Sequence, residues 1–252
     1  MSFLAMLHKE EMERIWIYTI GTFAVGIIGG LFPLWGRWSS RQLHLFVAFG
    51  AGVFLGAVFL HILPEVTQYE TTHLINALVL VGFMAILLLE KVLLNSHEEC
   101  HDQACSHEHV VLSWTTLIGL CVHGLSEGVS LGLALESPKL ASLLFIAIIA
   151  HTSAASFSLV TIFRLAGFSL TRAASLLLVF SLSTPVGALL SSQFLHFLPE
   201  HVANIPAALA AGTFVYVATC DLLPEAFHDS RNRVKSFIAL VIGIGVMMLV
   251  PK

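Results

Sequence analysis

Cys121-Val122-His123-Gly124-Leu125-Ser126-Glu127-Gly128-Val129-Ser130 lies inside an apolar run that extends from about residue 111 to 135. A run of that length predicts a membrane-spanning helix, since roughly 20 apolar residues cross the hydrocarbon core. His123 and Glu127 then share one helix face, their Cβ atoms about 5–6 Å apart. A third ionisable group, His151, falls in the next apolar run, in Ala150-His151-Thr152-Ser153-Ala154-Ala155-Ser156. Ionisable side chains at bilayer depth are costly and need a partner or a water-filled cavity, which makes them functional candidates. For Glu127 the ordinary alternative is a buried ion pair, but no Lys or Arg falls in the middle of any apolar run. Two imidazoles and a carboxylate suit a divalent transition metal, which zinc sites hold at roughly 2.0–2.2 Å.

The rest of the chain agrees with a membrane setting. It is 57% hydrophobic and 11% charged over 252 residues, with a mean hydropathy of +0.88. Soluble domains carry about 25% charged residues, so the polar surface that water requires is missing. Apolar runs at approximately 15–36, 41–66, 73–95, 111–135, 139–165, 170–195, 203–228 and 233–251 predict eight spans in a single transmembrane domain over 1–252. The fold class expected is therefore an all-α polytopic membrane protein. Met1 to Arg14 is mixed-charge without an apolar core and does not resemble a cleavable signal. A net charge of -4 with a pI near 6.3 leaves no footprint for nucleic acid. Cys121 and Cys220 lie in apolar runs while Cys100 and Cys105 share a polar stretch, a pattern that argues against a disulfide framework.

Lys and Arg set the expected orientation. Arg37, Arg41, Lys91, Arg164, Arg172, Arg231, Arg233 and Lys235 fall on one side, and Lys9, Arg14, Lys139 and Lys252 on the other. The bias places both termini outside the cytoplasm. The stretch at about 96–110, containing His97, His101, His107 and His109 among acids and Cys, is then a cytoplasmic His-rich loop. Its composition suits loose, exchangeable metal binding, and its spacing matches no structural zinc site.

Two segments resemble each other at an offset of 160 residues. Ala48, Gly52, Phe54, His61, Leu63, Pro64 and Glu65 stand against Ala208, Gly212, Phe214, Asp221, Leu223, Pro224 and Glu225. On the expected topology one segment runs outward and the other inward, which is the pattern of inverted-repeat transporters with a midplane site. Spans 1–3 and 6–8 thus form the repeat around spans 4 and 5. His61 and Glu65 would lie near the outer mouth, and Asp221, Glu225 and His228 near the inner one. Pro64 and Pro224 cannot donate a backbone hydrogen bond and tend to kink a helix. Gly124, Gly128 and Gly132 form a stripe that lets another helix approach closely, and the small-residue-rich fifth span is its expected partner.

At these residues the chain resembles the ZIP family of divalent metal transporters. The likeness rests on the His-rich stretch after the third span, on His123-x-x-x-Glu127 in the fourth, and on His151 heading the fifth-span motif. It extends to His61-Ile62-Leu63-Pro64-Glu65, Ser183-Thr184-Pro185-Val186-Gly187 and Asp221-Leu222-Leu223-Pro224-Glu225. The chain departs from that pattern at Gly124, where many relatives have Asn, and at Ala155, where many have a second fifth-span ligand. A single main metal site is therefore expected rather than a bridged pair.

The resemblance implies transport of Zn²⁺ into the cytoplasm across the cell membrane, with Fe²⁺, Mn²⁺, Co²⁺ and Cd²⁺ also suited to the donor set. The expected ligands are His123, Glu127 and His151, with His61, Glu65, Asp221, Glu225 and His228 along the path. The metal is cargo, and no resident cofactor is implied. The sequence leaves open whether two copies form a homodimer. The rival reading is an intramembrane zinc-dependent hydrolase, which needs an open metal position and an activated water. No His-Glu-x-x-His pattern occurs within any apolar run, the one match, His97 to His101, lying in the polar stretch, and polar groups at both mouths favour a through-path.

Overall fold

The computed structural model describes residues 3–36, 38–67, 72–94, 104–194, 204–227 and 233–250, and among these there is no strand. Among the described residues, eight helical rods follow one another. They are α1 (Phe3–Trp35), α2 (Ser40–Ala57, carried through a π-turn at Val58–Ile62 to Leu63–Val66) and α3 (Thr72–Leu88, with a π-turn at Leu89–Leu94). Then come α4 (Ala104–Leu133, closed by a 3₁₀ turn at Ala134–Glu136), α5 (Pro138–Leu165) and α6 (Leu170–Phe194). The last two are α7 (Asn204–Tyr216, with a π-turn at Val217–Leu222 and a final Leu223–Ala226) and α8 (Arg233–Met248). Seven of the rods are long and apolar enough to cross a membrane. The eighth, α8, has 16 residues and rises about 24 Å.

Local chemistry sets the boundaries. Ser39 and Gln42 cap each other reciprocally at the start of α2. Pro138 occupies the first turn of α5, where its missing N–H costs nothing. Gly167, at φ 73°, turns the chain from α5 into α6, a left-handed conformation that favours glycine. The His-rich stretch differs from the expected loop, because α4 already begins at Ala104. Residues 104–110 contain neither Gly nor Pro, so the helix propagates back into them, while 96–103 lie outside the described residues.

Polarity runs opposite to that of a water-soluble bundle. Trp16, Ile20, Ile28, Leu80, Phe237 and Ile242 are exposed, whereas Thr19, Thr22, Thr161, Ser156 and Ser158 are buried. The buried hydroxyls of Thr19 and Thr22 donate to the carbonyls of Ile15 and Tyr18 at 2.8 and 2.9 Å. Such bonds satisfy polar groups that lipid cannot. The outward apolar face is the surface a bilayer would cover.

The packing repeats the sequence symmetry. α1 packs closely on α5 as α6 does on α4, and α2 on α8 as α7 does on α3. The contacts coincide residue by residue, at an offset of 160 between α2 and α7 and of 161 between α3 and α8. Gly243 of α8 backs onto the Phe49 carbonyl of α2, and Gly82 of α3 backs onto the Leu209 carbonyl of α7. Gly52 and Gly212 face Leu240 and Val79 in the same way.

The π-turns repeat too. Pro64 and Pro224 would each press their rings on the carbonyl four residues earlier, Leu60 and Cys220. Both helices widen just before the proline instead, with the Leu63 N–H bonded to Val58 and the Leu223 N–H to Ala218. One expectation is corrected here. The Gly124, Gly128 and Gly132 stripe meets α6, at Ser183, Thr184, Gly187, Ala188 and Ser191, rather than the fifth span. The small residues of α5 are occupied elsewhere, since Ser153 and Ser156 receive Gly29 of α1.

At these crossings an added Cβ meets backbone, which cannot move aside as a side chain can. Gly243→Val and Gly82→Val should each cost about 1–3 kcal/mol of stability, read as a lower melting temperature in detergent. Gly245→Ala, where nothing lies within 4 Å, should hold or slightly raise it.

Candidate metal centre

α4 carries His123 and Glu127 on the face turned toward α5 and α7, and α5 carries His151 opposite them. The His123 Nε2 lies 2.9 Å and the His151 Nε2 2.6 Å from the same oxygen, Glu127 Oε1. The two imidazoles are buried, and the Glu127 side chain is 12% exposed. All three offer a ligand atom within 4.8 Å of the others, and they form such a group among the described residues. Donors on one tetrahedral zinc stand roughly 3.5 Å apart, so the trio needs only small shifts to take an ion.

The second imidazole nitrogens fix how the rings point. His123 Nδ1 donates to the Ala210 carbonyl of α7 at 3.3 Å, and the His151 ring bonds the Ala147 carbonyl one turn earlier. An N–H held this way turns the other nitrogen's lone pair toward the centre, as metal-ligating histidines require. Both Nε2 atoms are close to Glu127, yet neither makes a hydrogen bond of ordinary geometry. Three acceptor atoms facing each other in an apolar interior repel unless a proton or cation sits between them. The arrangement fits a metal site.

Phe214 of α7 closes one wall. Its ring is stacked on His123, with centroids 3.3 Å and planes 20° apart, and stands perpendicular to His151 at 5.7 Å. Phe54 of α2 backs it at 4.8 Å.

The remaining expected residues sit in separate places. His61 Nε2 is bonded to the Met247 carbonyl of α8 at 2.8 Å, away from the central three. Glu65 lies on the final turn of α2, with its side chain outside the described residues, as is the whole of His228. Asp221, in the π-turn of α7, accepts from the Thr116 hydroxyl at 3.2 Å and contacts Glu90 of α3. Glu225 pairs with His44 of α2 at 3.0 Å, and His44 also bonds the Glu225 carbonyl. These groups gather at the end of the bundle where Arg41, Arg164, Arg172 and Arg233 also lie, hereafter the Arg-rich end. Arg172 there stacks over Phe168 and Trp114, at 4.1 and 5.6 Å from the ring centroids.

Several neighbours escape a reading by sequence. Glu90 is buried, ion-paired with Lys91 and held by the Tyr216 hydroxyl at 2.6 Å. In the sequence it sits beside Lys91 near a span end and reads as an interfacial charge. His44 looks like a residue at a helix start. An ionisable group inside an apolar run was the available signal for both.

The sequence profile of the ZIP zinc transporter family matches residues 13–111 and 93–251. Zinc transporter ZIP9-A of Xenopus laevis is 28% identical over 86% of this chain and 86% of its own. Zinc transporter ZIP13 of Pongo abelii is 29% identical over 97% of this chain and 81% of its own. Zinc transporter 3 of Arabidopsis thaliana is 27% identical over 97% and 86%. The profile covers both repeat halves and the helices between them. The chain belongs to the ZIP zinc transporter family.

Proposed function

We propose that this metal transporter carries Zn²⁺ across the cell membrane toward the cytoplasm, with His123, Glu127 and His151 as the site the ion occupies midway. One observation carries the reading: a carboxylate only 12% exposed whose ion-pair partners among the described residues are two imidazoles, each turned toward it by a bond at its far side. The family is one of transporters, so the hydrolase alternative falls away. Fe²⁺, Mn²⁺, Co²⁺ and Cd²⁺ satisfy the same donor set and compete according to availability.

The Arg-rich end is the cytoplasmic one by the positive-inside rule, which places both termini outside. An incoming ion meets His61 and Glu65 first. It then passes to the central trio and leaves by Asp221, Glu225 and His228. The His-rich stretch at 96–110 collects it. The whole chain acts as one transmembrane domain. Imidazole and carboxylate bind Zn²⁺ only when deprotonated, so protons compete at the same atoms.

Three outcomes test the site. Zn²⁺ uptake at equal surface expression should fall about tenfold or more in His123→Ala, His151→Ala and Glu127→Ala, because each leaves a buried partner unpaired; wild-type uptake in Glu127→Ala would refute the assignment. Zn²⁺ at about 100 times its Kd should stabilise the wild-type protein by about 2.7 kcal/mol in a thermal melt, and Glu127→Gln should lose that gain. Lowering the outside pH from about 7.5 to about 5.5, across the ordinary range of histidine, should raise the KM for Zn²⁺.

A further inference from the structure

Phe54 and Phe214 stand 160 residues apart and hold the same place in the two repeat halves. Both are fully buried, and their rings touch with centroids 4.8 Å and planes 39° apart. Yet they are not used alike. Phe214 lies flat on His123 and turns its edge to His151. Among the described residues Phe54 contacts the Phe214 ring and neither histidine ring.

The repeat relates the two central helices as well. α4 packs on α6 and α7, and α5 packs on α1 and α2. His123 on α4 and His151 on α5 are therefore counterparts. The counterpart of Phe214 stacked on His123 is Phe54 stacked on His151.

The asymmetry has a direction. On α7 the Ala210 carbonyl is level with His123, and Asp221 is level with Thr116, about two turns nearer the Arg-rich end. Along α7, Phe214 comes between these two levels, a ring without ligand atoms stacked on His123. At that same end α2 and α7 are fastened by His44 and Glu225. Halves of like sequence can exchange conformations as the site is exposed first to one side and then to the other.

We infer that Phe214 and Phe54 are alternating positioning residues: Phe214 holds His123 and blocks the way to Asp221 in this state, and Phe54 replaces it, against His151, in the opposite one. A phenyl face pressed on an imidazole stops the ring from swinging and keeps its Nε2 on the ion. The two rings touch, so as one wedge enters the other withdraws. The inference rests on the metal-site reading above and adds the residues that set which imidazole is held.

The experiment measures Zn²⁺ transport from each face, in right-side-out and inside-out vesicles, with protein amount and melting temperature recorded. Phe214→Leu should raise the KM from the outer face about fivefold, the size of one lost aromatic contact, and leave the inner KM within about twofold. Phe54→Leu should do the reverse. Phe214→Tyr and Phe54→Tyr, which keep the ring, should leave both constants near wild type. If a leucine variant does not reach the membrane, methionine, unbranched and adaptable, replaces it. Variants that alter both faces equally, or neither, overturn the exchange. His123→Ala is the control. If it still transports Zn²⁺ the metal-site reading itself fails, and if it does not while the phenylalanine variants are blind to direction, only the exchange fails.

Discussion

A single carboxylate in an apolar interior sets the terms for the middle of this molecule. Ionised, Glu127 cannot be left alone, since the effective penalty for an unpaired charge in a dry interior is several kcal/mol. Two imidazole nitrogens face it at 2.9 and 2.6 Å, and their rings are held by carbonyls of α7 and α5. That makes the arrangement long-range. Moving α7 changes the bond at His123 Nδ1, and moving α5 changes the place of His151. A cation at Glu127 is thus coupled to how the repeat halves sit against the central pair.

The scaffold combines tightly packed crossings with local irregularities in the same rods. Glycines at 52, 82, 212 and 243 bring helix backbones into direct contact, so α2 with α8, and α7 with α3, behave as packed pairs. Within the same α2 and α7 rods, prolines widen the helix into π-turns. Such turns weaken the regular hydrogen-bond ladder at a defined place. The weak places lie just beyond Phe54 and Phe214, and they carry His61 and Asp221. Each rod is stiff where it grips its partner and irregular where His61 and Asp221 sit.

Much of this was legible in the sequence because it rests on period and composition. Apolar runs gave the helices, the i, i+4 spacing of His123 and Glu127 gave the shared face, and the 160-residue offset gave the two-fold packing. Reading failed where a residue's meaning depends on a neighbour distant in the chain. The glycine stripe of α4 went to α6 because the small residues of α5 were already taken by α1, a competition that no local pattern displays. Glu90 acquires its role only from Tyr216, 126 residues away. The start of α4 at Ala104 was missed for another reason. Charged and histidine-rich composition suggested a loop, but composition does not stop a helix that meets no Gly or Pro.

The charge count at the centre bears on why the ion moves on. Position 155, one turn after His151, is a buried alanine, so one carboxylate and two neutral imidazoles face a doubly charged ion. Occupied, the centre carries a net positive charge in a medium that disfavours any charge. A second carboxylate at 155 would cancel it and deepen the well. With alanine there, the ion is held by geometry more than by neutralisation. Asp221 and Glu90, buried about two turns nearer the Arg-rich end and already held by Thr116 and Tyr216, offer the next carboxylate charge, part of it neutralised by Lys91. Between the two lies the Phe214 ring, which offers none. On the path proposed above, a shallow well, an uncharged ring and an acidic cluster beyond it would make the helix that carries Phe214 the element that sets the rate.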